Sequence, residues 1–280
     1  MRRTIKELTL KDTFMFGAVM AQPENCRKFL ECTLGIQIGR IEVSKERSMI
    51  YHPEYKGIRL DVYAKDERNT RYNVEMQVTK KPALGKRSRY YQSQMDTELL
   101  QSGSDYTELP KTFVIFICDF DLFGQGKYRY TFCNRCKETE QADLQDERQI
   151  IFLNTKGKNE AEVPKELVSF LKFTGADLAN SEKEYGDPYV AELQRAVREV
   201  KVSRKMEERF MTLEELLKDE REEGRREGNR ELLTHFLQRL GAVPESLAEK
   251  IQDETDLDQL EVWIELAVKA SSMEEFIKKI

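Results

Sequence analysis

The sequence predicts an α/β domain followed by an all-helical region. Three features lead to this fold class. Residues 57–78 alternate between apolar and polar side chains on both sides of a polar turn, which is typical of a half-buried β-hairpin. Residues 113–118, FVIFIC, form a continuous apolar run with the length of a buried central strand. After about residue 185 the strand pattern ends, and helical periodicity continues to residue 280.

The elements of the α/β part follow from these patterns in chain order. Residues 12–35 carry apolar side chains at helical spacing, interrupted by Pro23 and ended by Gly35. A first strand at 41–47 precedes the hairpin, and a helix at 84–103 follows it. The remaining elements are three strands and a helix, at 111–123, 128–136, 148–155 and 163–178.

The helical region divides into a connector and a terminal module. We expect domains at 1–180, 181–231 and 232–280. Capping pairs at Thr212 and Glu215, Asp256 and Gln259, and Ser272 and Glu275 predict three helix starts. The charged stretch 218–231 alternates in sign, which favours a solvated or coiled helix with close-packing Gly224 and Gly228 over a nucleic-acid arm. Two copies could form a homodimer through these helices.

Composition limits the class of protein. The chain has 280 residues, of which 39% are hydrophobic and 35% charged, with a formal net charge of -5. The N-terminal residues include no apolar stretch of a secretory signal, and the longest apolar run is too short to cross a membrane. Five irregularly spaced cysteines suit reduced thiols. We therefore expect a cytoplasmic protein, and binding of nucleic acid would need a local basic patch.

The hairpin carries an acid near the middle of each strand, Asp61 and Glu75. If the turn spans 66–70, Lys65 pairs with Arg71 and Asp61 lies opposite Glu75, with their Cβ atoms roughly 5 Å apart. Like charges in opposite positions destabilise a sheet, and a divalent cation offsets this repulsion. Mg²⁺ is usually held by one or two carboxylates with waters and phosphate oxygens, and the carbonyl of Met76 could complete the set. The same pattern also fits a solvated face, salt-bridged to Arg59, Lys65 or Arg71.

Because successive side chains of a strand point to opposite faces, the hairpin has two faces of different character. Asn73 and Gln77 share the face of Glu75, whereas an apolar face includes Leu60, Val62, Ala64, Val74, Met76 and Val78.

The segment RLDVYAKDERNTRYNVEMQ, residues 59–77, resembles the PD-(D/E)XK nuclease family transposases, the group of the recombination-promoting nucleases. Three more segments carry the resemblance: LKDTFMFGAVM before the hairpin, KRSRYYQSQM after it, and the strand TFVIFICDFDLFG. It covers most of residues 8–175 and is weaker beyond. The helix EEGRREGNRELL and the residues after it are similar to segments often appended in this family.

The resemblance implies a restriction-endonuclease-like core, with a mixed sheet flanked by helices, and Mg²⁺-dependent hydrolysis of DNA, with Mn²⁺ as a substitute. It makes Asp61 and Glu75 metal ligands, and Gln77 lies where many relatives have lysine. Glutamine can hydrogen-bond a water but brings no charge. Either a nearby cation, for which Lys80 and Arg89 are candidates, compensates for this, or turnover is slow.

Residues after Gln77 are candidates for contacts with DNA and for support of the site. A segment without acids follows Gln77 and suits contact with a phosphate backbone through five cations, Lys80, Lys81, Lys86, Arg87 and Arg89, although an ordinary basic loop fits equally. Tyr90 and Tyr91 could stack on bases, but packing on the sheet is favoured. Gln92 and Gln94 are candidates for a supporting role at the site.

For three further acids and a pair of cysteines, a structural role is favoured over a role at the site. Asp12 could add a third acid to the site, although helix capping is favoured. The pair Cys133 and Cys136 has metal-knuckle spacing without a second pair, and His52 and His235 are distant in sequence, so reduced thiols are favoured. Asp119 and Asp121 are expected to solvate the end of a strand.

The leading hypothesis is a metal-dependent DNA endonuclease associated with transposition or recombination of mobile DNA. The first alternative is a DNA-binding or assembly protein on an inactive nuclease core. A small-molecule phosphohydrolase fits the two acids, but no glycine-rich loop supports it.

Overall fold

The structure is a computed structural model that describes residues 3–49 and 58–280, without the side chains at 45–48, 58 and 59. Gly57, His52 and the side chain of Arg59 therefore lie outside the described residues. The chain forms two compact units, Met1–Glu207 and Glu208–Ile280. This division differs from the expected domains because the helix at 188–202, which the sequence assigned to the connector, belongs to the first unit.

Two helices precede the sheet, in the order that the sequence predicts. Helix α1 (Thr13–Met20) and helix α2 (Pro23–Leu34) are separated by a short turn, because Pro23 fits the first turn of a helix but not its interior. Gly35 ends α2 in the left-handed conformation, with φ of 69°, and its N–H donates to the carbonyl of Glu31. This confirms the predicted breaks at Pro23 and Gly35.

The first unit contains a mixed six-stranded sheet with the order β1-β2-β3-β4-β6-β5. The first three strands are antiparallel, β3, β4 and β6 are parallel, and β5 returns antiparallel at the edge. This is the α/β fold that the sequence predicts, and it is consistent with a restriction-endonuclease-like core. The strands are β1 (Ile41–Met49), β2 (Ile58–Asp66), β3 (Arg71–Gln77), β4 (Thr112–Cys118), β5 (Arg129–Phe132) and β6 (Arg148–Asn154).

The hairpin β2–β3 has the predicted register where it is regular. Lys65 lies opposite Arg71, and the ladder continues to Val62 opposite Val74. Asp66 closes the turn, because its side chain accepts hydrogen bonds from the N–H of Thr70 (2.8 Å) and from the hydroxyl of Tyr72 (2.8 Å). The paired residues stop one position before Asp61.

Strand alternation changes at this point. The sequence pattern places Leu60 with Val62 and Ala64, whereas Leu60 lies in a buried cluster with Tyr63. That assignment was wrong, because strict period two holds only where the ladder is regular. The irregular end of the hairpin carries the acids.

Helix α3 (Leu84–Leu99) covers the face of the sheet that carries Glu75. Its apolar side chains pack on those of β4, which is buried along its whole length. The shared cluster includes Leu84, Tyr91, Met95, Val114, Phe116 and Cys118.

Two further helices, α4 (Lys165–Thr174) and α5 (Pro188–Val202), complete the first unit. Pro164 immediately precedes α4, as its sequence predicts. The Tyr189 hydroxyl donates to the carbonyl of Asn25, and its ring stacks on Phe170 at 6.1 Å between centroids. These contacts join α5 to α2 and α4.

The second unit consists of helices around a small core of its own. They are α6 (Arg204–Gln238), which belongs to this unit from Glu208 onward, α7 (Glu245–Asp253), α8 (Leu257–Lys269) and α9 (Met273–Ile277). The side chains of Asp256 and Ser272 cap α8 and α9, which confirms two of the predicted starts. The core is formed by Leu233, Leu237, Leu247, Ile251, Leu260, Trp263, Ala267, Met273 and Phe276.

The third predicted start, at Thr212, was wrong. Thr212 lies inside α6, where its hydroxyl donates to the carbonyl of Glu208 at 3.0 Å instead of capping a helix. Gly224 and Gly228 have no close-packed neighbour within the described chain. A Cβ atom built at either position would meet no atom within 4 Å apart from the nearby backbone of α6 itself.

Candidate metal and nuclease site

The two acids of the hairpin meet through hydrogen bonds that cross the strands. The backbone N–H of Asp61 donates to Oε1 of Glu75 at 3.2 Å, and the N–H of Met76 donates to Oδ2 of Asp61 at 3.0 Å. Backbone groups that would otherwise extend the ladder are thus used to orient the two carboxylates. The structure therefore brings Asp61 and Glu75 together, next to the main chain of Met76.

Glu75 is a buried acid, with only 1% of its surface exposed. Burial, and after it the negative charge of Asp61, raise the pKa of its carboxyl, and the cation of Arg87 opposes both effects; together they raise this pKa to about 8. The charged form of Glu75 is therefore unfavourable without a cation. This agrees with the predicted repulsion between the two acids.

Asn73 lies two residues before Glu75 and is fully buried. Its amide is near enough to favour the charged form of Glu75, but among the described residues neither amide atom has a hydrogen-bond partner of normal geometry. This face of β3 is thus polar beneath α3.

Among the described side chains, Arg87 brings a positive charge to the site. Its Nη2 donates to Oε2 of Glu75 at 3.0 Å, and its Nη1 donates to Oε1 of Gln77 at 3.2 Å. Its Nε donates to the hydroxyl of Tyr91 at 2.7 Å, and the guanidinium lies over the Tyr91 ring, 4.8 Å from the centroid. Arg87 thus links the acid, the amide and the helix.

The sequence predicts Arg87 only as a contact to DNA. Its candidates for the compensating cation are Lys80 and Arg89. Lys80 and Arg89 are exposed, whereas Arg87 reaches the acid. The spacing of Arg87 and Tyr91, one helical turn apart at the start of the helix after β3, is the signal that could have found it.

Tyr91 is a core residue. Its ring is 6% exposed and lies 6.1 Å from that of Phe116, and Tyr90 packs partly buried against the same cluster. This agrees with the favoured packing of both tyrosines on the sheet. Tyr91 positions Arg87 and is not exposed enough to stack on a base.

Gln92 is placed away from the acids. It is buried and donates to the hydroxyl of Thr112, at the start of β4. Thr112 lies opposite Arg71, whereas Phe116 lies opposite Glu75. Thr112 is therefore four residues along the strand from the level of Glu75, and each residue advances a strand by about 3.3 Å. A supporting role for Gln92 at Glu75 is not consistent with this distance, and Gln94 is partly buried on the same helix.

Asp12 precedes α1, but its side chain does not cap the helix. Its carboxylate forms an ion pair with Arg3 and accepts a hydrogen bond from the N–H of Thr9 at 2.6 Å. These contacts stabilise the N-terminal segment of the unit.

Asp119 is a partly buried acid instead of a solvated strand end. Its carboxylate accepts from Thr155 at 2.6 Å and pairs with Lys156 at 2.7 Å and Lys11 at 3.4 Å. Burial alone would raise the pKa of Asp119, but the bonds from Lys156 and Thr155 outweigh it and lower that pKa. Its N–H also donates to the carbonyl of Gln77, so Asp119 braces the end of β3.

Asp121 organises the loop after β4. Its carboxylate accepts hydrogen bonds from the N–H groups of Phe123, Gly124 and Gly126. The thiols of Cys133 and Cys136 are free and exposed.

The residues present fit a small divalent cation. Across residues 3–49 and 58–280, no three His, Cys, Asp or Glu side chains converge in a metal-binding arrangement. Mg²⁺ needs only one or two carboxylates and keeps waters for its other positions. Asp61 and Glu75 would provide these oxygens, and burial together with the charge of Asp61 raises the pKa of Glu75.

A mixed sheet flanked by helices, with two acids and an amide converging on one hairpin, defines a nuclease-like α/β protein. A family model described as PD-(D/E)XK nuclease family transposase matches residues 11–227. The chain belongs to this family, as its resemblance indicates. Asp61 and the Glu75–Met76–Gln77 segment lie within the matched residues. No match was found among curated proteins or among solved structures.

Among the described helices, none combines the length and the apolar character needed to cross a membrane.

Proposed function

We propose that this protein is a metal-dependent DNA endonuclease that acts in the transposition or recombination of mobile DNA. The observation that carries the proposal is the contact between Asp61 and the buried Glu75, which concentrates negative charge beside the main chain of Met76. Membership of the nuclease family supports the same chemistry.

Asp61 and Glu75 would hold Mg²⁺, or Mn²⁺ in its place, with the carbonyl of Met76 as a further ligand. The ion, when bound, would lower the pKa of a water ligand and polarise the phosphate. The hydrogen bond from the Met76 N–H orients the Asp61 carboxylate, and burial excludes competing solvent from Glu75. The protein thus contributes a preorganised pair of oxygen ligands.

Gln77 would position the attacking water without taking its proton. Its Oε1 already accepts from Arg87, which leaves the Nε2 hydrogens to donate to a water or a phosphate oxygen. An amide has no basic atom suited to accept a proton at neutral pH. We therefore assign Gln77 an orienting role.

The basic segment after β3 would contact the DNA backbone. Lys80 and Lys81 are exposed in the loop, and Lys86 and Arg89 are exposed on the first turns of α3. Exposed cations can form phosphate contacts, which are independent of base sequence and weaken as salt rises. This segment therefore suits positioning of the duplex beside the acids.

A plasmid assay tests the proposal. The purified protein is expected to nick or linearise supercoiled DNA with Mg²⁺ or Mn²⁺ and to stop when EDTA is added. Glu75→Gln should remove the activity while leaving the circular dichroism spectrum unchanged. Glu182→Gln is the matched control, because Glu182 is an exposed acid in a surface ion pair with Arg198. Equal cleavage by Glu75→Gln and the parent would show that the acid is not needed.

Gln77 favours a second candidate, a DNA-binding or assembly protein on an inactive core. The motif position has no charge of its own, and loss of this charge is expected to slow phosphate hydrolysis. This candidate predicts DNA binding whose affinity falls with log salt, without cleavage under any divalent cation.

We include two further features in the proposal. The protein would act in the cytoplasm, where DNA is available and where its five free thiols stay reduced. Two copies would pair through the C-terminal helices, supported by Met211 and Leu216, which are 48% and 57% exposed on α6. Sedimentation equilibrium of the parent and of Leu216→Glu tests this, since a dimer should become monomeric in the variant.

A further inference from the structure

The position of the family's lysine is occupied by Gln77, so positive charge at the site must come from elsewhere. Lys80, Lys81, Lys86 and Arg89 are exposed, and no described contact joins them to the acids. Arg87 is 30% exposed at its side chain and contacts both Glu75 and Gln77. It is therefore the cation that the described structure places at the motif.

Arg87 is fixed in orientation by its neighbours. Nε is bound to the Tyr91 hydroxyl, and the guanidinium lies 4.8 Å from the centroid of the Tyr91 ring and 5.8 Å from that of Phe116. Both rings belong to the core that joins α3 to β4. A planar cation held on buried aromatic rings loses little further freedom when it binds an anion.

The donors of Arg87 are not exhausted by these contacts. A guanidinium has five N–H groups. Within the described structure, one on Nε, one on Nη1 and one on Nη2 are used, by Tyr91, Gln77 and Glu75. One N–H on each Nη atom thus remains, which gives Arg87 two donors for the oxygens of a phosphate.

We propose that Arg87 is a catalytic residue that donates to the scissile phosphate and supplies the positive charge that lysine would supply at position 77. This inference rests on the nuclease activity proposed above. Arg87 also pairs with Glu75, so it limits the cost of burying this acid. Tyr91 acts as its positioning residue.

A set of variants tests this role: Arg87→Met, Arg87→Lys, Gln77→Lys and the double variant Gln77→Lys/Arg87→Met. Arg87→Met should lower kcat for plasmid cleavage by about 100-fold, the usual effect of removing one donor to transition-state charge. Arg87→Lys should retain more activity, and the double variant should recover at least about 10-fold over Arg87→Met, because its lysine restores the motif charge. Arg198→Met is the control, since it removes an arginine from a surface ion pair.

Two readouts separate a catalytic role from a structural one. Calorimetric titration with Mn²⁺ without DNA should give affinities for Arg87→Met within about threefold of the parent, less than 1 kcal/mol. Thermal unfolding should show that each variant is folded. Loss of Mn²⁺ binding together with cleavage would overturn the proposal, because Arg87 would then only hold Glu75 in place.

The remaining outcomes are equally decisive. Unchanged cleavage by Arg87→Met, or an inactive double variant that still binds Mn²⁺, would reject the charge-supplying role while leaving the nuclease activity intact. A parent protein that cleaves no DNA with either metal would reject both the proposed function and this inference.

Discussion

The Glu75 carboxylate accepts a hydrogen bond from the backbone N–H of Asp61, 3.2 Å away, at the point where the regular pairing of β2 and β3 ends. A side chain thus takes the place of a backbone acceptor in the ladder. This exchange of acceptors brings the buried acid Glu75 beside the second acid, Asp61. In an uninterrupted hairpin, two like charges in opposite positions would be destabilising.

Glu75→Gln is expected to stabilise the metal-free protein at alkaline pH. The folded-state pKa of Glu75, about 8, lies above its ordinary value of 4.5. Stability from the protonated side chain is therefore complete below pH 4.5 and is lost as the pH rises towards 8. Glutamine keeps its neutral form throughout, so we expect a gain on the order of 2 kcal/mol at pH 9 and little change at pH 4.

Urea unfolding in EDTA at both pH values measures this difference. Glu182→Gln, at an exposed ion pair, should show no such dependence on pH. A variant less stable than the parent at pH 9 would show that the pairing with Arg87 outweighs the cost of burial.

Mg²⁺ is expected to raise the melting temperature of the parent, and more so at pH 9 than at pH 6. The ion binds the ionised acids, whereas Glu75 is mostly protonated at pH 6. At ten times its dissociation constant, the ion should add about 1.4 kcal/mol to the free energy of unfolding. Differential scanning calorimetry of the parent and Asp61→Asn checks this, and an equal rise in the variant would place the ion elsewhere.

The hairpin could be predicted from sequence because its information is local. Alternation in two short strands and a polar turn around Asp66 determine which residues pair, and Lys65 opposite Arg71 follows. The proximity of Asp61 and Glu75 follows from this register. The shift of Leu60 into the cluster of Tyr63 does not, because it depends on how the sheet meets α3.

The roles of Arg87 and Thr212 could not be predicted from short sequence motifs alone. The rotation of α3, and hence which of its cations faces Glu75, is set by packing of Leu84 and Met95 against residues distant in sequence. The capping motif at Thr212 has no effect because good helix-forming residues precede it and α6 continues through it.

Gly157→Ala is expected to destabilise the first unit. A Cβ atom at this position would lie 2.3 Å from Cγ of Tyr128, whose ring is buried with 2% exposed. The ring cannot move without disturbing its neighbours, so we expect a loss of about 1–3 kcal/mol. Gly224→Ala is the counterpart in open space on α6 and should instead gain about 0.5–1 kcal/mol.

Urea titrations followed by far-ultraviolet circular dichroism measure both glycine variants. The two changes should differ in sign, although each adds a single methyl group. Equal effects of the two substitutions would indicate that the close approach of Tyr128 does not constrain Gly157.

Phe276→Ala is expected to destabilise the C-terminal unit selectively. Phe276 is fully buried in a core that this unit forms by itself, together with Trp263. Removal of its ring should cost about 3–5 kcal/mol, a large part of what a small unit can supply. Trp263 is the single tryptophan of the chain, so its fluorescence reports unfolding of this unit alone.

In the full chain, the fluorescence transition of Phe276→Ala should move to lower urea, while a later transition in circular dichroism keeps the midpoint of the parent. Val268→Ala is the matched control, because Val268 is 59% exposed on α8. If both transitions moved to lower urea together, the two units would unfold as one cooperative system, which would contradict the expected selective effect.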